Sequence, residues 1–586
     1  MDKRFRNGIQ NSKSMPGADC DSDHNPVVVK MKIRLQRVKK AKKTVKWNVN
    51  NLKKSEVRNA YRMRLDQQLQ EEKIDGCMEV DEIWKRLKDG ISTVAEEICG
   101  KEMQPKKQNW MNSEILHKME ERRKYKNMRD EEQYKKLKQE IRKLCRQAKD
   151  KYYEDKCKEI EMLDKAHSQL MYQKIKELRP KGNRGLQTIK SKQGNVLMEK
   201  EEVMERWAEY VEELYKDENR GVDDIIEMGQ MENEVYTICS EEIEAVIRDL
   251  PKGKACGSDN VSAELLQCMG EKGIQIMTRL INKIYKSGYI PEDFRESIFV
   301  PIPKVSKAQE CGDFRTIALI SHASKILLHL IKRRITPVIE RQLGDSQMGF
   351  RKGKGTRDAI FQLRMISERI TQMNREKEIK GKKKMKMKRK KIYLCFVDYQ
   401  KAFDRVRHDK LAEVMVKAGI PDLERRLIIN LYWRQHAAVR WDGEVSREVG
   451  VERGVRQGCV ISPMLFNLYS EFMIQEAMEG VEGIGFGGVN ITNLRYADDA
   501  VLVAEKRKKM QKMIDRLSTT CKEYGMEINV KKTKVIIIII IIISLICLSD
   551  AIFEEYPNRF LLWIPHSEAP AGVHTGIISP TVQVNI

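Results

Sequence analysis

The sequence predicts an α+β protein in which a long charged helical region precedes a mixed region of strands and helices. Between about residues 39 and 180, apolar residues recur every three or four positions among Lys and Glu, which is typical of solvated helices. Between about residues 241 and 535, strand-like runs such as SIFVPIP, IYLCFVDY and AVLVAE alternate with helical stretches. This alternation favours an α+β domain.

Composition narrows the class of protein. The 586 residues include 110 basic and 86 acidic side chains, a net charge of +24, which predicts an acidic partner and most simply nucleic acid. The thirteen cysteines are scattered without a CxxC pair, which argues against a disulfide scaffold and a structural zinc site and favours a reducing compartment. The opening residues MDKRFRNGIQNSKSMPGADC contain no apolar stretch, so no signal peptide is predicted.

The N-terminal half is expected to contain two segments. Residues 1–38 end in VVVKMKIRL, whose alternation predicts an edge strand. Residues 39–240 read as a charged helical linker or arm, with one helix expected around Arg206 to Tyr215. The stretch MEERRKYKNMRDEEQYKKLKQEIRKLCRQAKDKYYEDKCKEIE fits two interpretations equally well: a solvated helical arm, or a basic arm lying along nucleic acid.

Two low-complexity tracts interrupt the second half. Lys380 to Lys391 holds nine basic residues in twelve and predicts a disordered loop. It would act as a nuclear-import signal, with the protein then in nucleus and cytoplasm, or as a phosphate grip, or it is a slippage-expanded lysine tract. The apolar run Val535 to Leu548 is shorter than the ~18–20 residues needed to cross a bilayer, so no stable membrane association is expected. Residues 536–586 are expected to be an isoleucine run and an unrelated tail.

Three carboxylates are the candidates for chemistry. Asp398 ends a strand-like run in FVDYQKAFD, while Asp498 and Asp499 lie between two strands in LRYADDAVLVAE, where they predict a tight hairpin tip. Bringing these carboxylates together is costly, and divalent cations would offset the repulsion. Oxygen ligands suit Mg²⁺, and two such ions can stabilise the attacking 3′-oxygen and the leaving pyrophosphate in nucleotidyl transfer. The alternative is two unrelated acidic surface turns.

The order of the motifs resembles that of the reverse transcriptases of non-LTR (LINE-type) retrotransposons. FVDYQKAFD and YADD resemble the two catalytic palm motifs. Further motifs of this family are matched by GVRQGCVISPMLFNLY (Gly454 to Tyr469), YGMEINVKKTKV (Tyr524 to Val535), SIFVPIPK (Ser297 to Lys304), CGDFRTIALIS (Cys311 to Ser321), QMGFRKGKGTRDAI (Gln347 to Ile360) and PKGKACGSDNVSAELL (Pro251 to Leu266).

The resemblance covers about residues 241–535 and implies the fingers and palm of a right-hand polymerase, an antiparallel sheet with helices. It further implies RNA-directed DNA polymerase activity, with two Mg²⁺ ions (or Mn²⁺ in their place) as cofactors. The implied partners are an RNA template, a DNA primer or target, and dNTPs. After KKTKV the thumb expected in this family is largely missing.

The resemblance also implies roles for individual residues at the metal site. Asp398 and Asp498 would be direct metal ligands, with Asp499 close by. Lys532 would protonate the leaving pyrophosphate, although its neighbours Lys531 and Lys534 are alternatives for this role.

The nucleotide-binding residues follow in the same way. Phe403, five residues after Asp398, would be an aromatic gate that favours dNTPs, or a core residue, or both. Arg315 would pair with the triphosphate, and Lys304 would assist it or simply be solvated. Gln457 and Gly458 would border the nucleotide, because glycine allows close approach of backbone.

The two ends depart from the family pattern and predict a chain truncated at both ends. GADCDSDHNPVVV (Gly17 to Val29) resembles the last motif of the AP-endonuclease-like domain that precedes such reverse transcriptases. Asp23 and His24 would be its acid-base pair, or part of an ordinary loop. Residues 1–38 are therefore expected to be an inactive remnant of that domain. The alternative to a working polymerase is a catalytically inactive, nucleic-acid-binding remnant.

Overall fold

A computed structural model describes most of the chain between residues 47 and 538. The described residues are 9–14, 27–31, 47–71, 78–101, 110–128, 130–163, 170–171, 174–175, 188–197, 199–217, 237–380, 391–486 and 488–538. Asp23 and His24, residues 381–390 of the lysine-rich tract and the tail from residue 539 onward lie outside them.

Residues 1–44 form a unit of their own, and residues 45–586 form a second unit. In the first unit, β1 (Ile9–Ser14) pairs antiparallel with β2 (Val27–Met31). The predicted alternating strand therefore exists, because β2 covers its VVVKM portion.

The second unit combines helices with short sheets. Its helices are α1 (Ser55–Glu71), α2 (Val80–Val94), α3 (Ser113–Met128), α4 (Glu131–Glu161), α5 (Lys200–Tyr215), α6 (Ser240–Asp249), α7 (Ala263–Gln267), α8 (Glu271–Ser287), α9 (Glu292–Arg295), α10 (His322–Gln342), α11 (Thr356–Lys380), α12 (His408–Lys417), α13 (Asp422–Trp433), α14 (Ser462–Met478) and α15 (Arg507–Glu523). Its strands are β3 (Ile189–Lys190), β4 (Val196–Leu197), β5 (Glu296–Pro303), β6 (Phe314–Leu319), β7 (Ile392–Val397), β8 (His436–Trp441), β9 (Glu444–Val445), β10 (Val449–Gly450), β11 (Ile484–Phe486), β12 (Val489–Ile491), β13 (Asn493–Tyr496), β14 (Asp499–Ala504) and β15 (Lys534–Ile538).

Asp398 and the YADD segment lie at the end of a four-stranded antiparallel sheet with the order β13-β14-β7-β15. Successive side chains of a strand point to opposite faces of the sheet, and both faces of this sheet are buried. Cys395 and Leu502 belong to the large core that includes residues of α12, α14 and α15, whereas Leu394 and Val501 pack in a separate cluster with residues of α11. β15 pairs with β7 as far as Ile538, so the first three isoleucines of the run belong to the sheet.

A second sheet has the order β10-β8-β5-β6, with β9 paired to β8. β5 is antiparallel to β6 and parallel to β8. Trp207 of α5 packs against this sheet, with ring centroids 5.4 Å from Phe314 and 5.5 Å from Trp441. The helix expected around Arg206 to Tyr215 is therefore confirmed, and its apolar face covers the sheet.

The helices near the N-terminus of the second unit share the main core. Tyr61 of α1, Leu87 of α2 and Leu280 of α8 are fully buried in one hydrophobic cluster. The Trp84 indole also donates a hydrogen bond to Asp293 at 2.7 Å. The domain limits at residues 38, 240 and 535 stay predictions. Among the described helices, none is long and apolar enough to cross a membrane.

Candidate active site

The acidic hairpin has the geometry that the sequence predicts. β13 and β14 pair antiparallel with Tyr496 opposite Asp499, so Ala497 and Asp498 form a two-residue turn. Ala497 has φ = 58°, a left-handed conformation that is uncommon for a residue other than glycine. Asp498 and Asp499 are both partly exposed at this tip.

Asp398 lies beside the hairpin. β7 and β14 are paired as far as Val397 and Ala500, and one further step in this antiparallel register places Asp398 opposite Asp499. Opposite residues of an antiparallel pair project from the same face of a sheet. Both carboxylates accordingly line one pocket, together with Lys532.

Thr533 and Asn529 support Asp398 through its backbone. The Asp398 N–H donates to the Thr533 hydroxyl at 3.2 Å, and the Asn529 N–H donates to the Asp398 carbonyl at 2.7 Å. The Asp398 side chain is largely buried, and Lys532 Nζ lies 3.8 Å from its Oδ2. Of the three candidate lysines, Lys532 is the one that lines the carboxylate pocket.

The donor atoms suit a divalent cation. Mg²⁺ in proteins is usually held by one or two carboxylates together with water and substrate phosphates. Asp398 and Asp499 supply such oxygens in one pocket, whereas Asp498 is not among the residues that line it. Within the described residues, no three His, Cys, Asp or Glu side chains form a complete metal site. The two carboxylates therefore fit an ion that is shared with substrate.

Gln347 braces the catalytic turn from a neighbouring segment. Its side chain is fully buried, and its Oε1 accepts hydrogen bonds from the N–H groups of Ala497 at 3.0 Å and Gly349 at 2.9 Å. A Cβ on Gly349 would lie 2.3 Å from the nitrogen of Ala497, so the close approach requires glycine. Asn467 of α14 donates to the Gly349 carbonyl at 2.7 Å.

A buried ion pair fixes β13 to α14. Arg495 Nη2 lies 2.8 Å from Glu471 Oε2, and both side chains are almost fully buried. The same Arg495 nitrogen donates to the Ser346 hydroxyl at 3.0 Å. Three segments that are distant in sequence thus meet behind the catalytic hairpin.

The predicted gate residue also has a packing role. Phe403 stacks on Phe466 with ring centroids 4.4 Å apart and meets Phe350 edge to face at 6.4 Å. Phe403 is only partly buried. Core packing is thus observed for a residue that stays partly exposed.

Gln457 and Gly458 lie next to β6. The Gln457 carbonyl accepts a hydrogen bond from the Ala318 N–H at 2.8 Å, and Gly458 is exposed with φ = 109°. The Gln457 side chain donates to Asp404 Oδ1 at 3.2 Å.

Asp404 is a buried carboxylate that the sequence did not single out. Burial raises its pKa, and the hydrogen bond from Tyr215 of α5 opposes this rise. The Tyr215 hydroxyl donates to Asp404 Oδ1 at 2.8 Å. Nearby, Lys401 Nζ donates to the Tyr210 hydroxyl at 2.7 Å, and burial lowers the pKa of Lys401. Helix α5 therefore contacts the FVDYQKAFD segment directly.

The proposed triphosphate ligands lie on the β5–β6 hairpin. Arg315 is exposed on β6, opposite Ile302 of β5. Lys304 follows β5, is also exposed, and donates from Nζ to the Gly312 carbonyl at 3.2 Å. Both residues are exposed to solvent, although desolvation lowers the pKa of Lys304 and its Nζ already has a hydrogen-bond partner.

Sequence reasoning missed the residues that support the site. Gln347 and Gly349 lie in the motif QMGFRKGKGTRDAI, and the glycine in that motif could have indicated a close approach of two backbone segments. Asp404 also stands in a quoted motif, but its burial is visible only in the fold. Tyr215 carried no signal, because its partner is 189 residues away.

The central part of the chain matches a known protein family. Residues 302–562 match the family model described as reverse transcriptase (RNA-dependent DNA polymerase). A probable RNA-directed DNA polymerase from transposon BS of Drosophila melanogaster is 27% identical over 314 residues, which are 52% of this chain and 32% of that protein. The Pol polyprotein of the type-1 retrotransposable element R2 of Nasonia vitripennis is 27% identical over 305 residues, which are 52% of this chain and 27% of that protein.

The chain therefore spans about a third or less of the length of these relatives. A solved structure of apo telomerase from Candida tropicalis, truncated from its C-terminal domain, has 16% sequence identity and a TM-score of 0.31, covering 44% of this chain and 52% of that chain. Residues 302–562 of this chain therefore match the reverse transcriptase family, and the chain is similar to polymerases and Pol polyproteins of retrotransposable elements.

Proposed function

We propose that the chain is an RNA-directed DNA polymerase that adds dNTPs to a primer 3′-OH on an RNA template. The observation that carries this proposal is the pocket in which Asp398 and Asp499 lie beside Lys532. Two carboxylates next to one ammonium group suit a reaction that brings a triphosphate and a primer terminus together.

Asp398 and Asp499, which line the pocket, together with Asp498 in the adjoining turn, would hold two Mg²⁺ ions, or Mn²⁺ in their place. When bound, such ions offset the negative charge on the attacking and leaving oxygens. Lys532 would hold a proton at Nζ and donate it to an oxygen of the leaving pyrophosphate. Its position 3.8 Å from Asp398 supports this assignment over Lys531 and Lys534.

The nucleotide would enter between the β13-β14-β7-β15 sheet and the β5–β6 hairpin. Arg315 would bind the triphosphate through its guanidinium group, with Lys304 beside it. The partly exposed Phe403 would crowd a 2′-hydroxyl and favour dNTPs. Gln457 and Gly458 would border the base and sugar.

The nucleic-acid partners would be an RNA template and a DNA primer or target. The net charge of +24 supports binding through phosphates, so affinity should fall steeply with salt.

The test is extension of oligo(dT) on poly(rA) with dTTP and Mg²⁺, run beside Asp498→Ala and the isosteric Asp498→Asn. Extension by the unmodified chain that both variants abolish would support the proposal. If neither the chain nor the variants extend the primer while salt-sensitive binding of the duplex persists, the chain is a nucleic-acid binder and the proposal fails.

A further inference from the structure

Helix α4 has one face that packs and one face that is open. α3 and α4 lie against each other, and Ile141 of α4 is buried. Other α4 residues on the same side are half-buried, namely Tyr134, Leu137, Leu144, Ala148 and Tyr152. The spacing of three and four residues places them along one stripe, so the opposite side of α4 faces solvent.

Four basic residues follow the open side of α4. Lys138, Arg142, Arg146 and Lys149 are all exposed, and their spacing of four, four and three residues keeps them within one face of the helix. At 1.5 Å per residue they extend over roughly 16 Å. We call these four residues the α4 basic stripe.

Five of the eight acidic residues of α4 form ion pairs with lysines. Glu140 pairs with Lys118 of α3 at 2.5 Å. The other ion pairs of α4 are Glu131–Lys135, Glu132–Lys136, Glu154–Lys158, Glu159–Lys156 and Glu159–Lys174. In the part of the chain that the structure describes, no ion pair involves the α4 basic stripe. Four exposed cations of α4 therefore share one face of the helix.

We propose that the α4 basic stripe binds the phosphate backbone of nucleic acid. A duplex carries one charge per roughly 1.7 Å, so a stripe of this length faces more phosphates than it has cations. The two guanidinium groups can bind phosphate oxygens in bidentate fashion. The inference rests on the proposed function for the identity of the partner, but it does not require catalytic turnover.

A lipid surface fits this face less well. An interfacial helix needs a broad apolar face beside its basic residues. On α4 the apolar residues Leu137, Ile141 and Leu144 lie on the packed side instead. The α4 basic stripe is therefore suited to a polyanion that is bound through charge alone.

The test compares two full-length variants that each remove four positive charges. The stripe variant is Lys138→Gln/Arg142→Gln/Arg146→Gln/Lys149→Gln. The matched control, Lys118→Gln/Lys136→Gln/Lys156→Gln/Lys158→Gln, removes four lysines whose charges are already paired with carboxylates. Fluorescence anisotropy would give the Kd for a labelled RNA hairpin, an RNA–DNA duplex and a DNA duplex at several salt concentrations.

The stripe variant should bind duplex on the order of 100-fold more weakly at low salt. The slope of log affinity against log salt should fall by about 3 to 4, because each lost phosphate contact contributes about 0.9. The control should change the slope by less than about 1. Comparison of the three labelled ligands shows which nucleic acid the stripe prefers.

Equal weakening in both quadruple variants would overturn the proposal, because net charge alone would then explain the effect. Stripe-dependent binding to anionic vesicles with unchanged binding to nucleic acid would overturn it as well. If the stripe variant loses helical circular dichroism, the single variants Arg142→Gln and Arg146→Gln replace it, each with an expected slope change of about 0.9. Asp498→Ala should keep the full salt slope, so failure of catalysis and failure of the stripe are separable.

Discussion

Gln347 Oε1 accepts a hydrogen bond from the backbone N–H of Ala497 at 3.0 Å, which ties a buried amide to the turn that carries Asp498. A non-glycine residue in a left-handed conformation costs about 1–3 kcal/mol and persists only where its surroundings enforce it. Gln347 and the close contact with Gly349 provide that constraint.

We expect Gln347→Leu to lower kcat for primer extension by tenfold or more, while binding of primer–template changes little. The leucine leaves the N–H groups of Ala497 and Gly349 without their acceptor, at a cost of about 1–3 kcal/mol each, and the turn relaxes. Steady-state extension kinetics together with anisotropy would measure both effects. Gln347→Glu keeps an oxygen acceptor and should recover part of kcat. Equal kcat in Gln347→Leu and the unmodified chain would contradict this positioning role.

Tyr215→Phe should raise KM for dTTP several-fold with a smaller change in kcat. The lost hydroxyl bonds to Asp404, which also holds the side chain of Gln457 at the predicted nucleotide site. The measurement is extension rate against dTTP concentration. Tyr61→Phe is the matched control, because Tyr61 is equally buried and its hydroxyl has no hydrogen-bond partner among the described residues. The same KM shift in both variants would point to a general packing effect.

Breaking the Arg495–Glu471 pair should destabilise the protein strongly. Arg495→Met leaves a buried carboxylate without its partner, which costs about 3–5 kcal/mol. Arg495→Met/Glu471→Met should cost less than the sum of the two single variants, since no isolated charge remains. Urea unfolding of the three variants gives the coupling energy. Additive losses would show that the two side chains contribute independently.

Asp259 and His322 should contribute to stability with opposite dependence on pH. Burial lowers the pKa of His322 from 6.5 to about 4, so its contribution is present above pH 6.5 and is lost as pH falls towards 4. Burial raises the pKa of Asp259 from 3.8 to about 6, so its contribution is lost as pH rises through 6 and returns on acidification. Each shift of about two pKa units corresponds to roughly 3 kcal/mol at most in the free energy of unfolding. The contributions of Asp259 and His322 largely offset each other between pH 4 and 6.

Asp259→Asn removes the contribution that grows on acidification. Between pH 6 and 4 the variant should therefore lose stability more steeply than the unmodified chain. At pH 7 it should be the more stable protein, provided that the amide oxygen still accepts the hydrogen bond from Ser321. Urea unfolding at pH 4.5, 5.5 and 7 measures the difference. If the free energy of unfolding of the two proteins changed in parallel with pH, the opposing contributions of Asp259 and His322 would be ruled out.

Local chemistry made several elements predictable from the sequence. The YADD segment forms the expected hairpin tip, because two apolar strands flank a short acidic turn. Asp442 and Gly443 both have positive φ and turn the hairpin between β8 and β9, as an Asp-Gly pair between two strands favours. The helix expected around Arg206 to Tyr215 is likewise present as α5. Each of these signals lies within a few residues of the structure it specifies.

The sequence by itself determined the secondary structure around the motifs, the family resemblance and the identity of the candidate carboxylates. Only the tertiary structure decided that Asp398 lies opposite Asp499, that Gln347 supports the catalytic turn and that Tyr215 reaches Asp404. These relationships join residues about 100 to 190 positions apart. They depend on strand register and on which buried polar groups satisfy one another, and neither is encoded in the local periodicity of a chain.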